Sequence, residues 1–255
     1  MKIAILTQPI CNNYGGILQA YALQTVLERM GNEVRVLTRD KTVPITFPLL
    51  FQIIPRRIVC NILGKKIAVF REFRYNKLIK FVSVNVNAFI NKYIHQDNRL
   101  FHKIGQFDYD CFVVGSDQIW RKKYIDDTLR SSYVTAFLGF TERWKVKRLA
   151  YSASFGVDEW EFDENETKKI KKLILLFDAV SVRETSGVQL CKEHLGINSV
   201  HLLDPAMLLD RDEYINLIDN SSTILCNGDL FYYFLDYTAE KKELVDSISK
   251  ERQLI

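Results

Sequence analysis

Nothing in this chain reaches the 18 or more consecutive apolar residues of a membrane-spanning helix, so no transmembrane segment is expected. Glycine (11) and proline (5) are both scarce, which together with 47% hydrophobic and 26% charged residues excludes fibres and disordered chains. The cysteines Cys11, Cys60, Cys111, Cys191 and Cys226 are odd in number, scattered and without a C-x-x-C pair, so they promise neither a zinc site nor a disulfide framework. His95, His102, His194 and His201 have no ligand-like spacing, and neither a metal nor a resident cofactor is expected. There is no G-x-G-x-x-G after a first strand and no G-x-x-x-x-G-K-[ST], which disfavours nicotinamide enzymes and P-loop NTPases. The opening MKIAILTQPI runs straight into polar CNNYGG without a small-residue cleavage site; it reads as a buried first strand, and a cytoplasmic location is expected.

What is present is an alternation of short apolar, β-branched runs with helical patterns, the signature of βαβ units feeding a parallel sheet. Six strands are predicted: KIAIL (2–6), EVRVL (33–37), CFVVG (111–115), RLAYSA (148–153), AVSVR (179–183) and SVHLL (199–203). Such continuous apolar runs suit strands buried on both faces. The clearest helix, GILQAYALQTVLERM, repeats Ala20, Leu23, Leu27 and Met30 at helical spacing, and Gly31 ends it. The expected fold class is α/β, a Rossmann-like parallel sheet with helices on both faces.

This first domain is expected over residues 1–220, with a helical insertion at 41–103 whose first part is broken by Pro44, Pro48 and Pro55. NSSTILCNGD then resembles a linker. LFYYFLD (230–236) and EKKELVDSISKERQ read as a strand and a helix, so 221–255 is expected to hold the linker and the first strand–helix unit of a second α/β domain inside which the chain stops. No internal repeat or low-complexity tract stands out.

The formal charge of +4 is unevenly spread. Between Lys41 and Lys103 there are 12 Lys and Arg against Glu72 and Asp97, a balance of +10 that leaves −6 for the rest. Aromatic and aliphatic residues separate the charges. This is the composition of a helix that lies on an anionic membrane or grips a phosphorylated partner, with a plainly solvated insertion as the alternative.

Open parallel sheets bind ligands outside the carboxyl ends of their strands, so the loops there carry most weight. After the first strand, Gly15 and Gly16 allow close backbone approach, the next helix offers free N–H groups, and Asn12, Asn13 and Tyr14 add hydrogen-bonding capacity; a plain turn into a helix is the competing reading. In GSDQIWRKK, Ser116, Asp117 and Gln118 suit sugar hydroxyls, Trp120 offers a face for a pyranose ring, and Arg121, Lys122 and Lys123 could meet phosphate. The same loop could instead cap a helix and bury Trp120. YSASFG supplies Ser152, Ser154 and Gly156 as small donors and permissive backbone, without the partnered histidine a nucleophilic serine needs. Arg183 can bond a carboxylate or phosphate bidentately, with Glu184 to orient it, or the two can form a structural pair. Asp204, before Pro205, reads as a strand stop and helix cap.

Taken in order, NNYGGILQAYALQ, FDYDCFVVGSDQIW, YSASFG, FDAVSVRE and LLDPAMLLD closely resemble the polysaccharide pyruvyl transferase family, over roughly residues 1–210. The resemblance implies a two-domain, GT-B-like architecture with its active site in the cleft. It implies phosphoenolpyruvate as donor, and transfer of pyruvate as a ketal onto a sugar of a capsular or exopolysaccharide or its polyprenyl-linked oligosaccharide precursor, at the inner face of the cytoplasmic membrane. By analogy Arg183 meets the carboxylate or phosphate of the donor, and the Asn12–Gly16 and Ser116–Gln118 loops line the cleft. No residue is assigned as general acid. Family members are expected to bring a histidine and further basic residues from the C-terminal domain, and none of the four histidines here matches; as a fragment, the chain would bind weakly and not turn over. The rival readings are a GT-B-type glycosyltransferase with a nucleotide-sugar donor and a non-catalytic saccharide-binding relative. Nucleic acid is not an expected partner, because the basic charge is confined to one insertion and no reading motif accompanies it.

Overall fold

The computed structural model describes residues 1–10, 13–38, 47–65, 69–125, 133–218, 228–234 and 236–254. Asn12, Pro44, Cys11, Cys226 and most of the expected linker lie outside the described residues. The chain divides into two compact units, Met1–Asp210 and Arg211–Ile255.

In the first unit all six predicted strands form, as β1 (Lys2–Leu6), β2 (Glu33–Leu37), β4 (Cys111–Val114), β5 (Lys147–Ala153), β6 (Ala179–Val182) and β7 (Val200–His201). A seventh, β3 (Gln96–Asp97), lies inside the segment 41–103 expected as a helical insertion. The strands pair in parallel in the order β3-β2-β1-β4-β5-β6-β7. Strand order therefore reverses between β1 and β4, and the carboxyl ends of such a pair are where open α/β sheets place their ligands.

Side chains alternate across the sheet and bury both faces. Ile3, Ile5, Val34, Val36 and Val113 pack on α1 (Tyr14–Arg29) through Ile17, Ala20 and Leu23. Ala4, Leu6, Phe112, Val114, Val180 and Val182 face the other way, into a core shared with Ile170, Leu173 and Ile174. The predicted stripe on α1 holds for Ala20 and Leu23, which are buried, and for the partly buried Leu27; Met30 is exposed because the helix has ended at Arg29 and the chain turns through Gly31 at φ 82°.

The insertion supplies α2 (Phe47–Ile62), α3 (Arg71–Val82) and α4 (Val84–Tyr93). Of these, α4 joins the core through Val86 and Ile90. Buried Gln24 of α1 ties its far end, donating to the Tyr93 carbonyl and accepting from the His95 N–H. Short helices α5 (Lys122–Tyr124) and α6 (Tyr133–Ala136) precede the longer α7 (Glu164–Ile174) and α8 (Thr185–Leu190). Asp163 caps α7 in a reciprocal box with Glu166.

The second unit contains α9 (Arg211–Ile215) and α10 (Ala239–Glu251). Residues 230–234 and 236 form no strand, contrary to the pattern of LFYYFLD. Among the described residues this unit holds no other strand, so such a segment has no ladder for its N–H and C=O groups, and Phe231 and Tyr233 stay exposed. Among the described residues no helix is long and apolar enough to cross a membrane.

β3 exists because polar residues anchor it. Val36 and Thr38 donate their backbone N–H to the carbonyls of His95 and Asp97. The Asp97 carboxylate receives Arg99 Nη2 at 2.7 Å and the Tyr109 hydroxyl at 2.6 Å. Burial opposes ionisation of Asp97, but these hydrogen bonds and the Arg99 backbone N–H outweigh it and hold the carboxyl at about 2, against an ordinary 3.8. A depressed carboxyl stabilises the fold above its unfolded pKa, so this contribution is complete above about pH 4 and is lost as the pH falls through about 2. Asp97→Asn should lower stability at neutral pH and flatten the loss between pH 4 and 2, as read from urea midpoints along that pH series. Parallel acid limbs for the two proteins would contradict this.

Candidate functional site at the carboxyl ends of the strands

The loops after β1 and β4 are held together by side chains that the sequence places there. Asn13 caps α1, its Oδ1 accepting the Gly16 N–H at 3.2 Å, while its Nδ2 reaches Asp117 Oδ2 at 3.5 Å. A β-carbon on Gly16 would lie 2.9 Å from that same Asp117 oxygen, so glycine is what allows the start of α1 to approach the β4 loop. Gln8 Nε2 donates to the Gln118 carbonyl at 3.0 Å. Gly15 and Tyr14 open α1, and Tyr14 is 66% exposed.

Within the β4 loop the residues separate into two roles. Asp117 Oδ1 accepts the Gln118 N–H, and Gln118 Oε1 accepts Arg121 Nη1 at 3.1 Å. Trp120 is fully buried, stacks on Phe137 at 4.9 Å and donates its indole N–H to the Ala136 carbonyl. The expectation of an open aromatic face for a sugar ring is therefore corrected: an apolar pocket claims the ring, and a backbone carbonyl claims its N–H. Lys122 is drawn to Glu166 of α7 at 2.5 Å.

From β5 and β6 comes the centre of the cluster. Arg183 Nε donates to Glu184 Oε1 at 2.9 Å, Nη2 to Ser154 Oγ at 3.2 Å, and Nη1 to the Ser116 carbonyl at 3.3 Å, with Asp204 Oδ2 3.5 Å from Nη1. Ser154 Oγ in turn donates to Glu184 Oε1 at 2.8 Å and accepts the Gly156 N–H. Asp204 uses one oxygen to cap the turn at Pro205–Met207 and the other to receive Gln19 Nε2 from α1. Arg183 thus joins the ends of β4, β5, β6 and β7. Two buried polar atoms in this cluster, Ser116 Oγ and Gln19 Oε1, have no hydrogen-bond partner among the described residues. Among the described residues, no group of three His, Cys, Asp or Glu could hold a metal ion.

The structure therefore brings Asn13, Gly16, Asp117 and Gln118 together at one side, and Ser116, Ser154, Arg183 and Glu184 at the other. Ser152 stands apart. It is fully buried and its hydroxyl is spent on the Leu202 carbonyl at 3.0 Å. Its backbone is left-handed at φ 50°, where the β5–β6 register shifts, and Ser181 Oγ accepts its N–H. That geometry places Ser152 in the frame of the site, not on its surface.

The family model for polysaccharide pyruvyl transferase matches residues 13–252, nearly the whole chain. The chain belongs to that family. No curated protein matches the chain. Among solved structures it is similar to an isoprenoid biosynthesis protein with an amidotransferase-like domain from Ehrlichia chaffeensis, at 11% identity and a TM-score of 0.37, over 80% of this chain and 79% of that one. For this polysaccharide pyruvyl transferase family member, the match includes every residue of the Arg183 cluster and continues past Asp210 into the second unit.

Sequence reading assigned Asp204 a capping role alone and passed over Gln19 and Ser181. Asp204 was within reach: a strand-end carboxylate has two oxygens, and a cap uses one. Gln19 and Ser181 sit inside helix and strand patterns that carry no comparable signal.

Gly156 tests how tightly the β4 and β5 loops are fitted. It has φ +68°, and a β-carbon there would lie 2.5 Å from Gln118 Oε1. Gly31, at φ +82°, has nothing within 4 Å. Both alanine substitutions should cost about 1–2 kcal/mol from the left-handed backbone, measured by urea unfolding. Only Gly156→Ala should also free Gln118 from Arg121, visible as a displaced Gln118 side chain in a crystal structure of that variant.

Proposed function

We propose that this protein transfers pyruvate from phosphoenolpyruvate, as a cyclic ketal, onto two hydroxyls of a sugar in a surface polysaccharide or its lipid-linked precursor. The observation that carries the reading is the unspent polar capacity around Arg183: a buried hydroxyl and a buried amide oxygen without partners among the described residues, in the cluster of a guanidinium at a strand end. Buried polar atoms of this kind are normally satisfied, and a ligand rich in oxygens would satisfy them.

The chemistry asks for little beyond positioning. A proton adds to C3 of the enol and C2 becomes oxocarbenium-like. One sugar hydroxyl bonds to C2 and gives up its proton, the C2–O bond to phosphate breaks, and a second hydroxyl closes the ring with loss of its own proton. Arg183 is suited to the donor carboxylate or phosphate because its planar fork can hold two oxygens at once. The side chains of Asn13, Asp117 and Gln118 are suited to sugar hydroxyls, since amide and carboxylate groups supply both donors and acceptors.

Calorimetric titration with phosphoenolpyruvate, and separately with a uridine-diphosphate sugar, tests the donor. Binding of phosphoenolpyruvate, weakened roughly 10- to 100-fold in Arg183→Ala, is the expected result, since a hydrogen bond to a charged group contributes about 1.5–3 kcal/mol. Arg183→Lys should recover little, because an ammonium cannot reproduce the fork. Unchanged phosphoenolpyruvate affinity in a folded Arg183→Ala protein would remove that residue from the site, and binding of the nucleotide sugar alone would point to a glycosyltransferase.

A further inference from the structure

The insertion that separates β2 from β3 splits into two physically different parts. α4 seats Val86 and Ile90 in the core. Among the described side chains of α2 and α3, large apolar ones lie in solvent: Ile62 is 79% exposed, Phe81 80%, and Phe51, Ile58, Phe73 and Leu78 are exposed as well. A folded chain does not leave so much apolar surface open on two successive helices without something to cover it.

The charge identifies the cover. From Phe47 to Val82 there are eight basic residues, Arg56, Arg57, Lys65, Lys66, Arg71, Arg74, Lys77 and Lys80, against the single acid Glu72. That is a balance of 8 − 1 = +7 on the same segment that exposes the apolar residues. A second copy of the chain would bring an equal positive charge against it, which opposes pairing at low salt. An anionic surface with an apolar interior satisfies both features together. The helices are also too short to cross a bilayer: 16 and 12 residues reach about 24 and 18 Å at 1.5 Å per residue, short of a hydrocarbon core near 30 Å. Pro55 lies inside α2 and leaves its ladder one N–H short.

We propose that α2 and α3 form a docking surface that lies in the headgroup region of an anionic bilayer, with the apolar side chains entering the acyl boundary and the lysines and arginines meeting lipid phosphates. This surface is independent of the Arg183 cluster, and the proposal stands whether or not the donor is phosphoenolpyruvate.

Flotation of the full chain with vesicles of phosphatidylcholine, and of phosphatidylcholine mixed with phosphatidylglycerol, tests it. The chain should partition onto the mixed vesicles, weakly or not at all onto phosphatidylcholine, and less as salt rises. Reversing Arg56, Arg74, Lys77 and Lys80 to Glu should lower partition by about a hundredfold or more. Changing Ile58, Ile62, Leu78 and Phe81 to Ser should lower it about tenfold or more with the charge intact. Circular dichroism checks that both variants fold; if either does not, the lipid and salt dependence of the unaltered chain decides alone. No partition onto the mixed vesicles, or equal partition onto both kinds, overturns the proposal. So does sedimentation velocity showing a dimer that the serine variant abolishes, which would give the surface to a second copy.

Discussion

Arg183 is the constraint on which the carboxyl edge of the sheet depends. Its guanidinium bonds to Glu184, Ser154 and the Ser116 carbonyl and lies 3.5 Å from Asp204, so one planar group links loops that follow four different strands. The linkage is geometric as well as electrostatic. A lysine in its place would offer a rotatable point charge, whereas the five N–H groups of arginine leave the plane in fixed directions and set the spacing between their partners. Its side chain is 23% exposed, which leaves the ion pairs less screened than those at a fully wet surface.

The framework behind it is strained to make this possible. Ser152 adopts φ 50° at the point where the β5–β6 register slips, a conformation that costs a non-glycine residue about 1–2 kcal/mol. Ser181 holds the bulge from the neighbouring strand, accepting the Ser152 N–H at 2.8 Å and donating to the Ala150 carbonyl at 2.9 Å. The extra residue lets β5 end with Ser154 bonded to both Glu184 and Arg183. A regular strand would have turned the alternate side chains the other way.

The legible part of the molecule was the part governed by periodicity. Buried parallel strands are apolar throughout, and all six predicted strands form. β3 escaped because two polar residues, Gln96 and Asp97, make it, and their place in the sheet rests on Arg99 and Tyr109 contacts that no period records. LFYYFLD erred in the opposite direction: it has strand propensity and no partner strand among the described residues of its unit. For the site, position at a strand end singles out loops that the structure brings together around Arg183, but it does not say which side chains face inward. Trp120 and Ser152 were drawn into the structure behind the cluster, while Asp204 and Gln19 were drawn into the cluster itself.

The charge count of the cluster bears on how it could receive a ligand. Arg183 is flanked by Glu184 and Asp204, so two carboxylates face one guanidinium. On the proposed reading, an incoming donor anion competes with groups already on Arg183, and its binding is an exchange of partners. Asn13, Asp117 and Gln118 are likewise engaged, with the Gly16 N–H, with each other's loops and with Arg121, so sugar hydroxyls would also enter by exchange of partners. On that reading the energetic cost of donor binding falls on the contacts of Asp204 and the Ser116 carbonyl, the longest that Arg183 makes.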